Sequence, residues 1–325
     1  MRLATLRDGS PDGRLIVVSR DHLRAAQPSV TTLQIALERW DEVGTELQAL
    51  SEALERGETG EALNMAALAA PLPRAWQWLD GSAYPSHGAL MQKAFNLPPI
   101  ETDRPLMYQG MSDRFLGPTD DVWLPSETDG VDLEAEFGVI LDAVPMGCTR
   151  AAALTYVRLL VLINDWSLRA IAPIEMKTGF GWIQAKPACS LGPIALTPNE
   201  LGPAWANGRI DLVMQSAING ERLGAVPGAE GMAHGFDELI AHAARTRSLP
   251  AGTIIGSGTV SSPRHAEVGS SCLAERRAIE MIQAGAPKTP FLRFGDRVRI
   301  AAVQDHDRTP VFGVIDQQVV RAPAP

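Results

Sequence analysis

The sequence predicts a strand-dominated α+β fold preceded by a small N-terminal domain. Beyond residue 70 the chain carries many short β-like runs separated by Gly and Pro, and only two helix-like runs interrupt them. Strands and helices do not alternate regularly, which excludes a doubly wound parallel sheet. With 325 residues, 45% of them hydrophobic, the chain has enough apolar surface for a substantial core.

Taken in order, residues 2–6 and 15–18 read as two strands of a hairpin around a Gly/Pro turn at 9–13. From Thr31 to Arg56, Leu33, Leu37, Trp40, Gly44, Leu47, Leu50 and Leu54 recur at three- and four-residue steps. That spacing predicts one long packing helix stopped by Gly57. Residues 66–74, AALAAPLPR, hold two prolines and read as a connector, which divides the chain into 1–70 and 71–325. The strands expected beyond it cover 134–141, 193–196, 209–218, 253–259, 296–302 and 311–319, and the helices 149–163 and 236–245.

Charge and cysteine content narrow the function. A formal net charge of -9 and a pI near 5.2 disfavour a nucleic-acid partner, because phosphate binding needs clustered Lys and Arg. The same field repels an anionic substrate unless local cations overcome it. Cys148, Cys189 and Cys272 are odd in number and widely spread, with no CxxC pair, which argues against a disulfide framework or a structural zinc and fits a reducing cytoplasm. Asp, Gly and Pro interrupt any apolar stretch in residues 1–14. The apolar run 154–163 is too short to span a bilayer and contains Arg158, so a soluble chain with no membrane partner is expected.

The chemistry concentrates in carboxylates. In VDLEAEFGVIL, residues 131–141, Val131, Leu133, Ala135, Phe137 and Val139 alternate with Asp132, Glu134 and Glu136, the pattern of a half-buried strand with Glu134 and Glu136 on one face. Two such acids either face open water or share a cation. A third, Asp165, follows the expected helix 149–163 within Asn-Asp-Trp-Ser, where an unpaired acid beside buried residues is costly and a metal would compensate it. Hard oxygen donors without a Cys/His cluster suit Mg2+, Ca2+ or Mn2+ better than zinc. If that helix continues, Arg169 shares the face of Asp165.

The ordered succession DLEAEFGVI, INDWSLRAI, Lys186 about twenty residues on, GSGTVS, GSSCLAE, FGDRVRI and FGVID resembles the fumarylacetoacetate hydrolase (fumarylacetoacetase) family over about residues 71–319. The resemblance implies the mixed β-sandwich or roll of the fumarylacetoacetase C-terminal type. It also implies a homodimer and a divalent metal, Mg2+ or Ca2+ with Mn2+ as a further candidate, held by Asp80, Glu134, Glu136 and Asp165. Asp80 is followed seven residues later by His87, the spacing between ligand and catalytic base in animal members. Glu275, in a GSSCLAE segment two residues longer than the animal pattern, is the implied partner that orients the base. Arg169 and Lys186 inherit catalytic and substrate-binding roles, and Tyr108 and Thr259 inherit substrate contacts. Ala172 stands where animal members carry a substrate-contacting glutamine.

The implied enzyme is a metal-dependent hydrolase that cleaves a carbon–carbon bond in a β-diketo acid, with fumarylacetoacetate from tyrosine or homogentisate breakdown giving fumarate and acetoacetate. Relatives on the same fold hydrolyse acylpyruvates, decarboxylate oxaloacetate, or isomerise or decarboxylate hydroxydienoates. A non-catalytic metal-containing binding protein is the third reading. Of the remaining residues, His22, His234, His242, His265 and His306 lack a partner pattern, Cys272 reads as a packed thiol, and 256–261 lacks the frame of a dinucleotide loop.

Overall fold

The computed structural model describes residues 1–96, 98, 102–304 and 307–323, so His306 lies outside the described residues. Among the described residues the core of the fold is an eleven-stranded sheet. Its strands run in the order Glu61–Ala62, Arg24–Ala26, Arg14–Val18, Arg2–Leu6, Ala195–Leu196, Val157–Asn164, Ala135–Leu141, Ile254–Gly256, Trp78–Gly81 and Met107–Gly110, and Ser190–Leu191 joins Val157–Asn164 off this path. The N-terminal hairpin thus continues the same sheet, with Arg2 paired to Leu196 and Leu3 to Ala195. A second sheet orders Glu221–Pro227, Val213–Ile218, Arg297–Val303, Val314–Arg321 and Val122–Leu124. The strand-rich α+β class expected from the sequence is what the chain adopts.

Two apolar layers sandwich the large sheet. On one face Phe137, Val139, Leu160 and Leu162 pack with Met214, Ile300, Ile315 and Val319 of the second sheet. On the other face Ile140, Leu159, Val161 and Ile163 pack with Leu33, Leu37, Leu47 and Leu54 of the N-terminal helices. A strand covered on both faces loses its polar alternation and becomes a continuous apolar run.

That explains the main correction to the sequence reading. The helix expected over 149–163 is a short helix Arg150–Ala153, a 3-10 turn Leu154–Tyr156 and then the strand Val157–Asn164. Short apolar runs do not separate buried helix from buried strand by periodicity, and here sheet pairing on both sides decides for strand. Arg158, the polar interruption, pairs with Asp142 and lies 5.8 Å from the centre of the Trp40 ring.

Other differences are smaller. The single long helix is two, Leu33–Glu38 and Trp40–Glu55, because Arg39 takes a non-helical φ of -126°. Strand 209–218 divides into Arg209–Ile210 and Val213–Ile218, and 253–259 shortens to Ile254–Gly256. The sequence reading did not identify the helices Pro85–Phe95, Ala172–Thr178 and Leu273–Ala284. The first and last pack through Leu90, Ala278 and Ile279, and they carry His87 and Glu275. No helix among the described residues is long and apolar enough to cross a membrane.

Candidate active site

Neighbouring strands deliver the acids to one place. Ala135–Leu141 pairs with Val157–Asn164 so that Glu136 lies opposite Ile163 and Ala135 opposite Asn164. The Asp165 N–H donates to the Glu134 carbonyl at 3.0 Å, and the Glu134 N–H donates to Asn164 Oδ1 at 2.9 Å. On the other side Ile254–Gly256 bridges Gly138 to Asp80, and Asp80 pairs with Tyr108. A Cβ on Gly256 would lie 2.4 Å from Asp80 Oδ1 and from the Trp78 ring, so only glycine lets the Asp80 carboxyl seat there. The Gly258 N–H then donates to Asp80 Oδ1 at 3.1 Å, which gives the GSG segment its role. Thr259 follows directly and is buried.

Burial settles the alternative that pattern left open for Glu134 and Glu136. Glu134 is 5% exposed and Glu136 0%, so the acidic face looks into a closed site and not into solvent. Ligand atoms of Asp80, Glu136 and Asp165 lie within 4.8 Å of one another. Both oxygens of Glu136 are buried without a hydrogen-bond partner, a costly state for a carboxylate unless a cation compensates it. The donor set is all oxygen, and it fits a hard divalent ion held by Asp80, Glu136 and Asp165.

Glu134 stands beside that trio with its oxygens occupied. Arg169 Nη2 donates to Oε1 at 2.5 Å and Lys186 Nζ donates to Oε2 at 2.6 Å. Lys186 also reaches Asp165 Oδ2 at 2.5 Å, where the Tyr108 hydroxyl donates too, and Cys189 Sγ donates to Asp165 Oδ1 at 2.8 Å. Arg169 does not arrive by helical spacing. Ser167–Leu168 pairs as a strand with Val131–Asp132, and the Arg169 N–H binds the Gly130 carbonyl.

Electrostatics follow from burial and neighbours. Burial first, then the Asp165 charge, pushes Asp80 well above the usual carboxylate range; burial, then Asp80 and Asp165, do the same to Glu136, and burial also raises Asp165 against the pull of Lys186. Burial would raise Glu134 as well, but Lys186 and Arg169 hold it well below that range. Burial opposes the charge on Lys186, yet Asp165 and Glu134 outweigh it and raise its pKa. Burial and the Asp165 charge keep the Tyr108 hydroxyl protonated, and so a donor.

A second group lies near enough to Glu134 for the His87 charge to help lower the Glu134 pKa. His87, near the start of helix Pro85–Phe95, places Nδ1 3.0 Å from Oε1 of Glu275, which is 1% exposed. A carboxylate partner puts the proton on Nδ1 and leaves Nε2 free to accept one. Cys272 is buried, and its Sγ accepts the Glu275 N–H at the head of helix Leu273–Ala284. The sequence reading missed two residues with site contacts. Asp132, in the same alternating set as Glu134, holds Arg169; Cys189 holds Asp165 and carried no pattern at all.

Residues 77–320 match the family described as Fumarylacetoacetate (FAA) hydrolase C-terminal, and residues 1–74 match Fumarylacetoacetase N-terminal domain 2. A 2,4-didehydro-3-deoxy-L-rhamnonate hydrolase of Sphingomonas sp. (strain SKA58) is 29% identical over 164 residues, 50% of this chain and about half, 54%, of that protein. The mitochondrial oxaloacetate tautomerase of Bos taurus is 27% identical over 195 residues, 58% of this chain and 83% of its own. A maleylpyruvate hydrolase from Sphingobium sp. SYK-6, solved with manganese(II) and pyruvate, superposes with a TM-score of 0.66 at 19% identity, covering 99% of this chain and 100% of that one, a likeness of fold.

Proposed function

Because this chain belongs to the fumarylacetoacetate hydrolase family, we propose that it hydrolyses a carbon–carbon bond in a short β-diketo acid. Fumarylacetoacetate is the first substrate to assay and acylpyruvates are the second. The observation that carries this reading is the His87–Glu275 pair, a base oriented by a buried carboxylate and within electrostatic range of Glu134, in the same chain as a carboxylate trio with the donor chemistry of a divalent-metal site.

Asp80, Glu136 and Asp165 would hold the ion, with Glu134 adjacent, and Mg2+, Ca2+ or Mn2+ suits the oxygen set. When bound, such an ion polarises a chelated ketone and stabilises enolate charge. His87 takes the proton of the attacking water at Nε2, while Glu275 fixes the tautomer and steadies the imidazolium. The imidazolium then returns that proton to the carbon that leaves. Lys186 spends two of its three N–H donors on Glu134 and Asp165 and keeps one for a substrate oxygen. With Arg169 it offsets charge on Asp132, Glu134 and Asp165, which lowers the repulsion an anionic substrate meets in a chain of net charge -9.

A second reading is tautomerisation or isomerisation, in which the same base moves a proton between carbon and oxygen without adding water. Its support is the tautomerase relative and Ala172, which removes the glutamine that binds substrate in animal members. The deciding experiment is a spectrophotometric screen of diketo acids after EDTA treatment and after adding back each metal. Loss of the diketone absorbance with two acid products supports hydrolysis. Undiminished turnover without metal, or binding without turnover across the panel, would sink it. Product that retains every carbon shifts the assignment to the second reading.

The family reading also carries a cytoplasmic homodimer. Ile174, Met176, Phe180 and Ile183 expose their apolar side chains along one segment next to Lys186, surface that a second copy would cover.

A further inference from the structure

Asp132 lies two residues before Glu134 and is 0% exposed, yet it is not one of the grouped acids of the site. Its carboxylate is fully used. Oδ1 accepts the Leu273 N–H at 2.7 Å; Oδ2 accepts the Ala274 N–H at 2.9 Å and the Arg169 Nε–H at 2.8 Å. The first N–H groups of a helix have no partner within the helix, and a carboxylate placed there binds them and favours the positive end of the dipole. In helix Leu273–Ala284 the first two go to Asp132 and the third, of Glu275, goes to Cys272 Sγ. The loop before the helix is stitched to the residues that follow Asp132, because the Ala135 N–H donates to the Ser271 carbonyl and Cys272 bridges to Glu134.

One carboxylate therefore joins two halves of the site. Through Arg169 it reaches Oε1 of Glu134; through the helix start it fixes Glu275, and with it His87. We infer that Asp132 is a positioning residue that sets where the Glu275–His87 base stands relative to the Arg169–Glu134 side of the centre. The inference rests on the base role given to His87 above. It explains why an acid occupies this position in the strand when Asp80, Glu136 and Asp165 already form the trio.

The substitutions separate the links. Asp132→Ala removes all three hydrogen bonds. Asp132→Asn keeps one acceptor oxygen and turns an NH2 toward one of the donors, so it breaks a subset. The first measurement needs no turnover: with 15N-labelled histidine, the His87 Nδ1–H held by Glu275 gives a low-field proton signal, assigned by its loss in Glu275→Gln. We expect the signal to be lost in Asp132→Ala and weakened in Asp132→Asn, while Mn2+ affinity by calorimetry stays within about threefold of the parent protein. On a turned-over substrate, Asp132→Ala lowers kcat at least tenfold, and Asp132→Ala/Glu275→Gln loses no more than Glu275→Gln alone.

A low-field signal that persists in Asp132→Ala overturns the inference, as does a double variant whose loss is the product of the two single losses. Mn2+ affinity weakened more than tenfold also overturns it, because Asp132 would then belong to the metal site. If Asp132→Ala does not fold, Asp132→Asn decides: an unchanged signal with kcat within twofold refutes the role. Absence of turnover in the parent protein would refute the proposed function and leave the spectroscopic test standing.

Discussion

Glu136 offers the sharpest test of the centre, because its carboxylate is fully buried and neither oxygen has a hydrogen-bond partner. Saturation at one hundred times Kd stabilises the folded state by about 2.7 kcal/mol. Unfolding entropy of about 2.1 cal/mol/K per residue is about 0.7 kcal/mol/K for 325 residues, so that increment raises Tm by about 4 °C. Glu136→Gln removes a ligand oxygen and keeps the size and buried polarity of the side chain, so the metal-free variant should melt close to the metal-free parent and gain less than about 1 °C from metal.

The pH dependence has a definite sign. Asp80, Glu136 and Asp165 have folded-state pKa values above those of an unfolded chain, so the folded protein holds protons that the unfolded chain has released. Their contribution is present below the unfolded values of 3.8 and 4.5 and is lost as pH rises toward the raised ones. Glu134 is displaced downward and acts oppositely, losing its contribution only as pH falls through its lowered value. The Tm increment from Mn2+ should therefore grow between pH 5 and 8, read by scanning calorimetry with EDTA-treated and Mn2+-loaded protein. Superimposed melts of the parent protein, or a full increment in Glu136→Gln, would refute the reasoning.

The remaining expectations concern the base, the cation, the core and the assembly. His87→Ala should lower kcat by about 10²–10⁴ with little change in Mn2+ affinity, measured by steady-state kinetics and calorimetry; retention of most activity points to chemistry without this base. Arg169→Lys keeps the charge but cannot bridge Asp132 and Glu134 at once, so KM should rise or kcat fall at least fivefold, and unchanged kinetics would contradict the paired geometry. Leu160→Ala, 0% exposed in the central strand, should cost about 2–5 kcal/mol by urea unfolding, and a loss under 1 kcal/mol would be inconsistent with a core covered on both faces. Light scattering should report twice the 34.9 kDa chain mass, and Phe180→Asp, at a side chain 96% exposed, should shift that toward the monomer.

What the sequence determined by itself was local or ordered. Alternation placed Glu134 and Glu136 on one face, Gly57 stopped a helix, and short Gly/Pro-bounded runs announced a strand-rich fold. The order of DLEAEF, NDWS, Lys186 and GSSCLAE marked the family, although no single member of that set was specific. Whether the acidic face met water or a closed site was decided only by tertiary structure, since burial depends on what packs across the sheet. The same cause misled the reading of 149–163: a strand covered on both faces carries no alternation, so its hydrophobic run is as compatible with a buried helix. His87 and Glu275 lie 188 residues apart, and only the packing of Leu90 on Ala278 and Ile279 brings their helices together. Asp132 and Cys189 escaped notice for a related reason. Their partners are a distant helix start and a carboxylate just beyond the end of strand Val157–Asn164, contacts that sequence spacing does not encode and that the tertiary fold creates.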